Sequence, residues 1–261
     1  MEGFWALAVI HKDHPHQIVA EAKENPIAIG IDRYKGEVYL SSDVNAFYTS
    51  GLDVIFLQKA EKIMIDDTVR SKGAFEHFML KEIFDQPEAL QHALHGRLLE
   101  QICSVEFENF KLSPTDLANT KKIFILGCGT SWHAGLIAAS LIEEFAKIPC
   151  QVEIASEFRY RNPVITQETL LIAISQSGET LDTFAAVREV KKKNIKVFAI
   201  CNVANSTLTR EADTTIFLRA GAEISVCSTK AFTTQITVLS LLTLLLGRHQ
   251  GMTQDVGLAF F

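Results

Sequence analysis

Three hydroxyl-rich turns hold the residues best suited to chemistry: Gly127-Cys128-Gly129-Thr130-Ser131, Ser175-Gln176-Ser177-Gly178-Glu179-Thr180 and Ser225-Val226-Cys227-Ser228-Thr229-Lys230. The first two follow short apolar runs, residues 123–126 and 170–174, and lead into helical patterns. A turn between a strand and a helix presents the helix's free N–H groups and the positive end of its dipole at the strand tip. Ser175, Ser177 and Thr180 add neutral hydroxyl donors at the second tip. Together these make a phosphate cradle that needs no lysine. Ser and Thr also cap helices, and taken singly the turns at 127–131 and 225–230 fit either role. At 175–180 one cap does not use three hydroxyls and Gln176, so an anion is the better reading there. Lys230 opens a helical pattern, where the dipole disfavours a cation, and Glu223 is expected to neutralise it. Trp132 occupies the third glycine position of a GxGxxG pattern, and GxxxxGK[ST] is not matched, so dinucleotide and nucleoside-triphosphate readings are weak.

The elements around these turns alternate. Short apolar runs at 123–126, 152–155, 170–174, 197–200 and 215–218 read as strands, and 131–147, 180–192 and 230–246 read as helices. Continuous apolar strands separated by helices predict an α/β fold, a three-layer α/β/α arrangement around a parallel sheet. Ligands of such sheets bind beyond the carboxyl ends of the strands, where the three turns lie.

The amino-terminal part differs. Residues 4–10, 17–22, 27–31, 37–41, 53–58 and 61–66 read as short strands separated by turn clusters such as residues 11–16 and 33–36. With no long helix between them, they predict antiparallel pairing. Residues 4–10 are almost wholly apolar and read as a strand covered on both faces. An apolar strand at residue 4 and an apolar end at Phe260-Phe261 create the expectation of a fragment of a longer protein. Between 67 and 120 the spacing turns helical. Phe75, Phe78, Met79, Ile83 and Phe84 precede a break at Pro87, and Leu90, Leu94, Leu98 and Leu99 form a second stripe.

Composition bounds the function. Of 261 residues 48% are hydrophobic and 21% charged, which argues against a disordered or fibrous chain. The net charge of −6 argues against a nucleic-acid-binding surface. Residues 1–120 hold 11 basic and 19 acidic side chains, residues 121–261 hold 14 and 12, so a composition break falls near 120. The five cysteines, Cys103, Cys128, Cys150, Cys201 and Cys227, form no CxxC pair and read as reduced thiols of a cytoplasmic protein. His11, His14 and His16 flank Pro15 in a turn that does not fix ligand geometry, so no metal is expected. The start lacks a basic segment and a cleavage site, and the longest apolar stretch, 236–246, is too short to cross a membrane.

GCGTSWHAG from Gly127, AISQSGETLDT from Ala173 and AEISVCSTKAFTTQ from Ala222 together resemble the sugar isomerase (SIS) domain. The last segment is more specific and resembles the first SIS domain of the glutamine–fructose-6-phosphate aminotransferase family. Residues 75–90 resemble that family's linker, and residues 1–66 resemble the second half of its glutaminase domain, an N-terminal-nucleophile fold. The resemblance implies three regions, 1–66, 67–120 and 121–261. It implies a sugar-phosphate site in which Ser175, Gln176, Ser177 and Thr180 bind the phosphate and Thr130, Ser131, Val226 and Ser228 line the sugar. It also implies fructose 6-phosphate and glucosamine 6-phosphate as ligands, a homodimer in the full-length parent and no cofactor. No catalytic residue is assigned: Glu2 follows Met1 where the family has its nucleophilic cysteine, and the second SIS domain with the acid–base and Schiff-base groups is not matched. The competing readings are a non-catalytic SIS module that senses a phosphosugar and an SIS enzyme without a glutaminase half. The β-rich, acidic amino-terminal part disfavours both.

Overall fold

Strand-forming runs in the amino-terminal unit, Met1–Gly73, pair antiparallel, as their turn-bounded spacing predicts. The computed structural model describes residues 5–23, 27–32, 37–47, 52–57, 59–63, 72–108 and 110–260. β1 (Trp5–His11) and β2 (His14–Lys23) form a two-stranded ribbon. β3 (Ala28–Asp32), β4 (Glu37–Ser41), β5 (Asp53–Phe56) and β6 (Lys59–Ile63) form a sheet in the order β4-β3-β5-β6. Its buried core is small, comprising Ala28, Phe47, Leu52 and Val54. The cover on both faces that this apolar run calls for is not supplied by the described residues: Leu7 and Val9 on one face and Ile10 on the other are exposed. Among the described residues β1 pairs with β2 alone, which leaves its other edge unpaired and buries little side-chain area. Phe4, the turn at 33–36 and residues 64–66 of the sixth predicted strand lie outside the described residues.

The second unit, Ala74–Phe261, begins with α1 (Phe78–Phe84) and α2 (Gln86–Leu94). Their break falls at Asp85, and Pro87 takes a first-turn position in α2, where its missing N–H leaves no bond unmade. The second leucine stripe is only partly helical. Gly96 (φ +70°) turns the chain, and β7 (Leu98–Leu99) pairs with β8 (Ser104–Val105) instead of extending the helix. A capping box between Ser113 and Asp116 starts α3 (Pro114–Asn119). Ala89, Ala93, Phe107 and Leu117 belong to the main core, so the segment between residues 74 and 120 is built into this unit.

Five strands then form the predicted parallel sheet: β9 (Lys122–Gly127), β10 (Cys150–Ile154), β11 (Thr169–Ser175), β12 (Val197–Cys201) and β13 (Thr214–Phe217). Their order is β10-β9-β11-β12-β13, so the chain reverses direction across the sheet between β9 and β11. Alternate residues serve opposite faces. Ile123, Ile125, Ile172 and Ile174 pack into one core, with Ala134 and Ala138 of α4 (Thr130–Leu141). Phe124, Leu126, Leu171 and Ala173 pack into the other. Phe158 of α5 (Ala155–Arg161), Phe184 and Val187 of α6 (Leu181–Lys191) and Leu208 of α7 (Thr207–Glu211) cover that second face. The result is α/β with three layers. α8 (Lys230–His249) is long and apolar enough to cross a membrane, yet most of it is buried in the first core, and α9 (Gln254–Phe260) follows.

Candidate functional site

The reversal between β9 and β11 places two of the three turns side by side at the carboxyl edge of the sheet. The third turn, leading into α8, closes the same space. The resulting cleft of about 380 Å³ is lined by all eight residues selected from the sequence: Thr130, Ser131, Ser175, Gln176, Ser177, Thr180, Val226 and Ser228.

The turn after β11 is tightly specified. Ser175 is buried, and its Oγ accepts the Gly178 N–H at 2.9 Å. Ser177 Oγ accepts the Glu179 N–H at 3.2 Å. Two loop amides expected to face an anion are thus satisfied internally. The hydroxyls that accept them are oriented by that bond and keep their own hydrogens to donate. Ser175 and Thr180 hydroxyls lie 3.5 Å apart. Thr180 occupies the N-cap of α6 without a side-chain cap bond, so capping does not explain its hydroxyl. Gly178 has φ +71°, and a Cβ there would lie 2.0 Å from Ser206 Oγ. The glycine is required by the close approach of Ser206.

The turn after β9 starts α4 without a side-chain cap, Gly129 at the N-cap having φ +57°. Thr130 is exposed in the first turn, and buried Ser131 accepts a hydrogen bond from Gln235 Nε2 at 3.0 Å. α8 therefore orients a residue of the cleft from behind.

In the third turn the expected role of Glu223 is corrected. Its buried carboxylate accepts from Ser228 Oγ at 2.9 Å, Thr229 N–H at 2.8 Å and Ala231 N–H at 3.1 Å, so it caps α8. Lys230 is neutralised elsewhere: its Nζ lies 3.0 Å from Asp85 Oδ2. Burial pushes the Asp85 carboxyl up, but hydrogen bonds from Lys81 and Lys230 outweigh it and hold the group below its ordinary range. Val226 and Cys227 stand exposed at the cleft mouth.

The cleft thus presents hydroxyls, an amide and the starts of α4 and α6, with the Glu223 carboxylate occupied in capping α8 and no lysine or arginine in its lining. That set suits a phosphate and a polyol. Cys201, at the end of β12, is pushed up to about 11, chiefly by burial, and is no nucleophile. Among the described residues no three metal-ligating side chains converge.

The SIS domain family matches residues 116–245. Over 94% of its length the chain is 42% identical to a glutamine–fructose-6-phosphate aminotransferase (isomerizing) of Caldanaerobacter subterraneus subsp. tengcongensis, covering 44% of that protein. A counterpart from Bacteroides thetaiotaomicron is 40% identical over 97% of the chain, with 45% of it covered. The chain belongs to the glutamine–fructose-6-phosphate aminotransferase family. It spans less than half the length of the family members it matches. The C-terminal domain of the family's Francisella tularensis member superposes with a TM-score of 0.67 at 42% identity, covering 73% of this chain and 53% of that one. A glucosamine-6-phosphate deaminase from Thermotoga maritima shares the fold, with a TM-score of 0.54 at 22% identity over 69% of this chain and 51% of that one.

The sequence reading missed the side chains that support the third turn, Glu82 and Asp85, and the first, Gln235. Glu82, Asp85 and Gln235 each act from more than 100 residues away, and no local pattern announces them.

Proposed function

We propose that the cleft binds the phosphate and sugar of fructose 6-phosphate and of glucosamine 6-phosphate, within a glutamine-dependent isomerising aminotransferase of amino-sugar synthesis. The observation that carries this is the convergence of three hydroxyl-rich turns on one cleft, with Thr180 free of a capping role. Ser175, Gln176, Ser177 and Thr180 hold the phosphate. Thr130, Ser131, Val226 and Ser228 surround the sugar. The positive ends of α4 and α6 offset the phosphate charge, while that of α8 is taken by Glu223. No residue of this chain is given a bond-making step. The antiparallel strands of the first unit support reading residues 1–66 as part of a glutaminase-type domain. Two copies are inferred to pair in the whole protein, and five unpaired thiols favour the cytoplasm.

Ser177→Ala tests the site. Losing one charge-assisted donor lowers fructose 6-phosphate affinity by roughly 10- to 150-fold. A hydroxyl that served only its turn would cost about 1 kcal/mol of stability and leave binding intact. Unchanged affinity beside a lowered thermal midpoint removes the assignment.

A further inference from the structure

Glu82 is a carboxylate with 2% exposure on α1. Burying such a charge is unfavourable unless donors surround it. Its donors all come from the third turn. Oε1 accepts the Ile224 N–H at 2.6 Å, the Ser225 N–H lies 3.3 Å from both oxygens, and Ser225 Oγ donates to Oε2. Glu223 meanwhile holds the far end of the same turn through Ser228 and Thr229. Two carboxylates therefore grip residues 224–229 from opposite ends. Between them Val226 and Cys227 remain exposed to the cleft. One helical turn beyond Glu82, Asp85 takes Lys230 at the start of α8.

We propose that Glu82 is a positioning residue for the sugar: from α1 it holds the 224–228 backbone in its binding conformation before ligand arrives. This rests on the phosphosugar reading of the cleft. The wall made by Ser225, Val226 and Ser228 is then preformed, and no ordering has to be subtracted from binding. The phosphate cradle at 175–180 belongs to a different strand tip and does not depend on Glu82. Glu82 acts on the sugar half of the ligand alone.

Glu82→Gln keeps the shape but turns an N–H donor toward the backbone donors of the turn. Titrations with fructose 6-phosphate and with inorganic phosphate separate the two halves of the cleft, and amide hydrogen exchange reads the turn directly. The expected result is a loss of at least about tenfold in fructose 6-phosphate affinity, the equivalent of one charge-assisted hydrogen bond. Inorganic phosphate affinity stays within about twofold, well under the tenfold that one such bond represents. Exchange at Ile224 and Ser225 accelerates while Gly178 and Glu179 stay protected. Equal loss for both ligands, or unchanged fructose 6-phosphate affinity, overturns the proposal. Should the variant not fold, fast exchange at Ile224 and Ser225 in the unliganded wild-type chain overturns it, and protection there supports it. Absence of fructose 6-phosphate binding in the wild-type chain overturns the phosphosugar reading instead, and the exchange data still decide whether Glu82 holds the turn.

Discussion

Gln235 Nε2 donates to Ser131 Oγ across 3.0 Å, joining the buried face of α8 to the first turn of α4 inside the cleft. Gln235 is fully buried and its Oε1 has no hydrogen-bond partner among the described residues. An unmade bond of that kind costs roughly 1–3 kcal/mol. A methionine of similar volume would remove the orphan oxygen and the bond to Ser131 together. Gln235→Met is therefore expected to leave the thermal midpoint equal or higher and to weaken phosphosugar binding. Calorimetry on wild type and Gln235→Met checks this; a large drop in midpoint with intact binding contradicts it.

Gly178→Ala should be severe. Its φ of +71° disfavours a side chain, and the added Cβ would collide with Ser206 and with Cys201 Sγ at 2.8 Å. Backbone strain and overpacking together predict a loss of roughly 2–5 kcal/mol in urea unfolding. A loss under about 1 kcal/mol would mean that the turn relaxes, at odds with so close a contact.

Acid should expose the cap of α3. Hydrogen bonds from Lys196 and from Ser113 pull the Asp116 carboxyl from 3.8 to about 2. A folded-state value below the unfolded one stabilises above the unfolded value and is lost as pH falls through the folded one. Wild type should therefore exceed Asp116→Asn in thermal midpoint above about pH 5, and the gap should close toward pH 2. A gap independent of pH would remove the charge from the explanation.

Thiol labelling should rank the cysteines. Cys227 is exposed, while burial pushes Cys150 up to about 12 and Cys201 up to about 11. Reactivity follows the exposed thiolate, so Cys227 should label first. It lines the cleft, so saturating fructose 6-phosphate should slow the reaction. Labelling that ignores the sugar would place the ligand elsewhere.

Much of the site was legible because it is local. Strand, turn and helix follow one another within a few residues at 123–131 and 170–181, and the turn chemistry must lie where the strand ends. The parallel sheet was legible for the same reason: β9, β11 and β12 are buried on both faces and read as unbroken apolar runs. α5 and α7 were not anticipated, being too short for a periodic pattern to build up. The stripe at Leu98 and Leu99 misled, because strand pairing with Ser104 and Val105 overrode its helical spacing. Among the described residues nothing covers both faces of β1, since an apolar run reports what a strand can bury and not whether a partner lies on it.

By itself the sequence determined the chemistry of the cleft: hydroxyls, an amide and helix starts, without a cation. Tertiary structure alone decided which turns meet. The strand order β10-β9-β11 brings residues 127–131 beside 175–180, although some 45 residues separate them. It also decided how the third turn is held. Glu82 and Ile224 are 142 residues apart, and Lys230 finds Asp85 although Glu223 is far nearer along the chain. A buried charge takes the partner that the packing brings within hydrogen-bond reach, and sequence distance does not enter that energy.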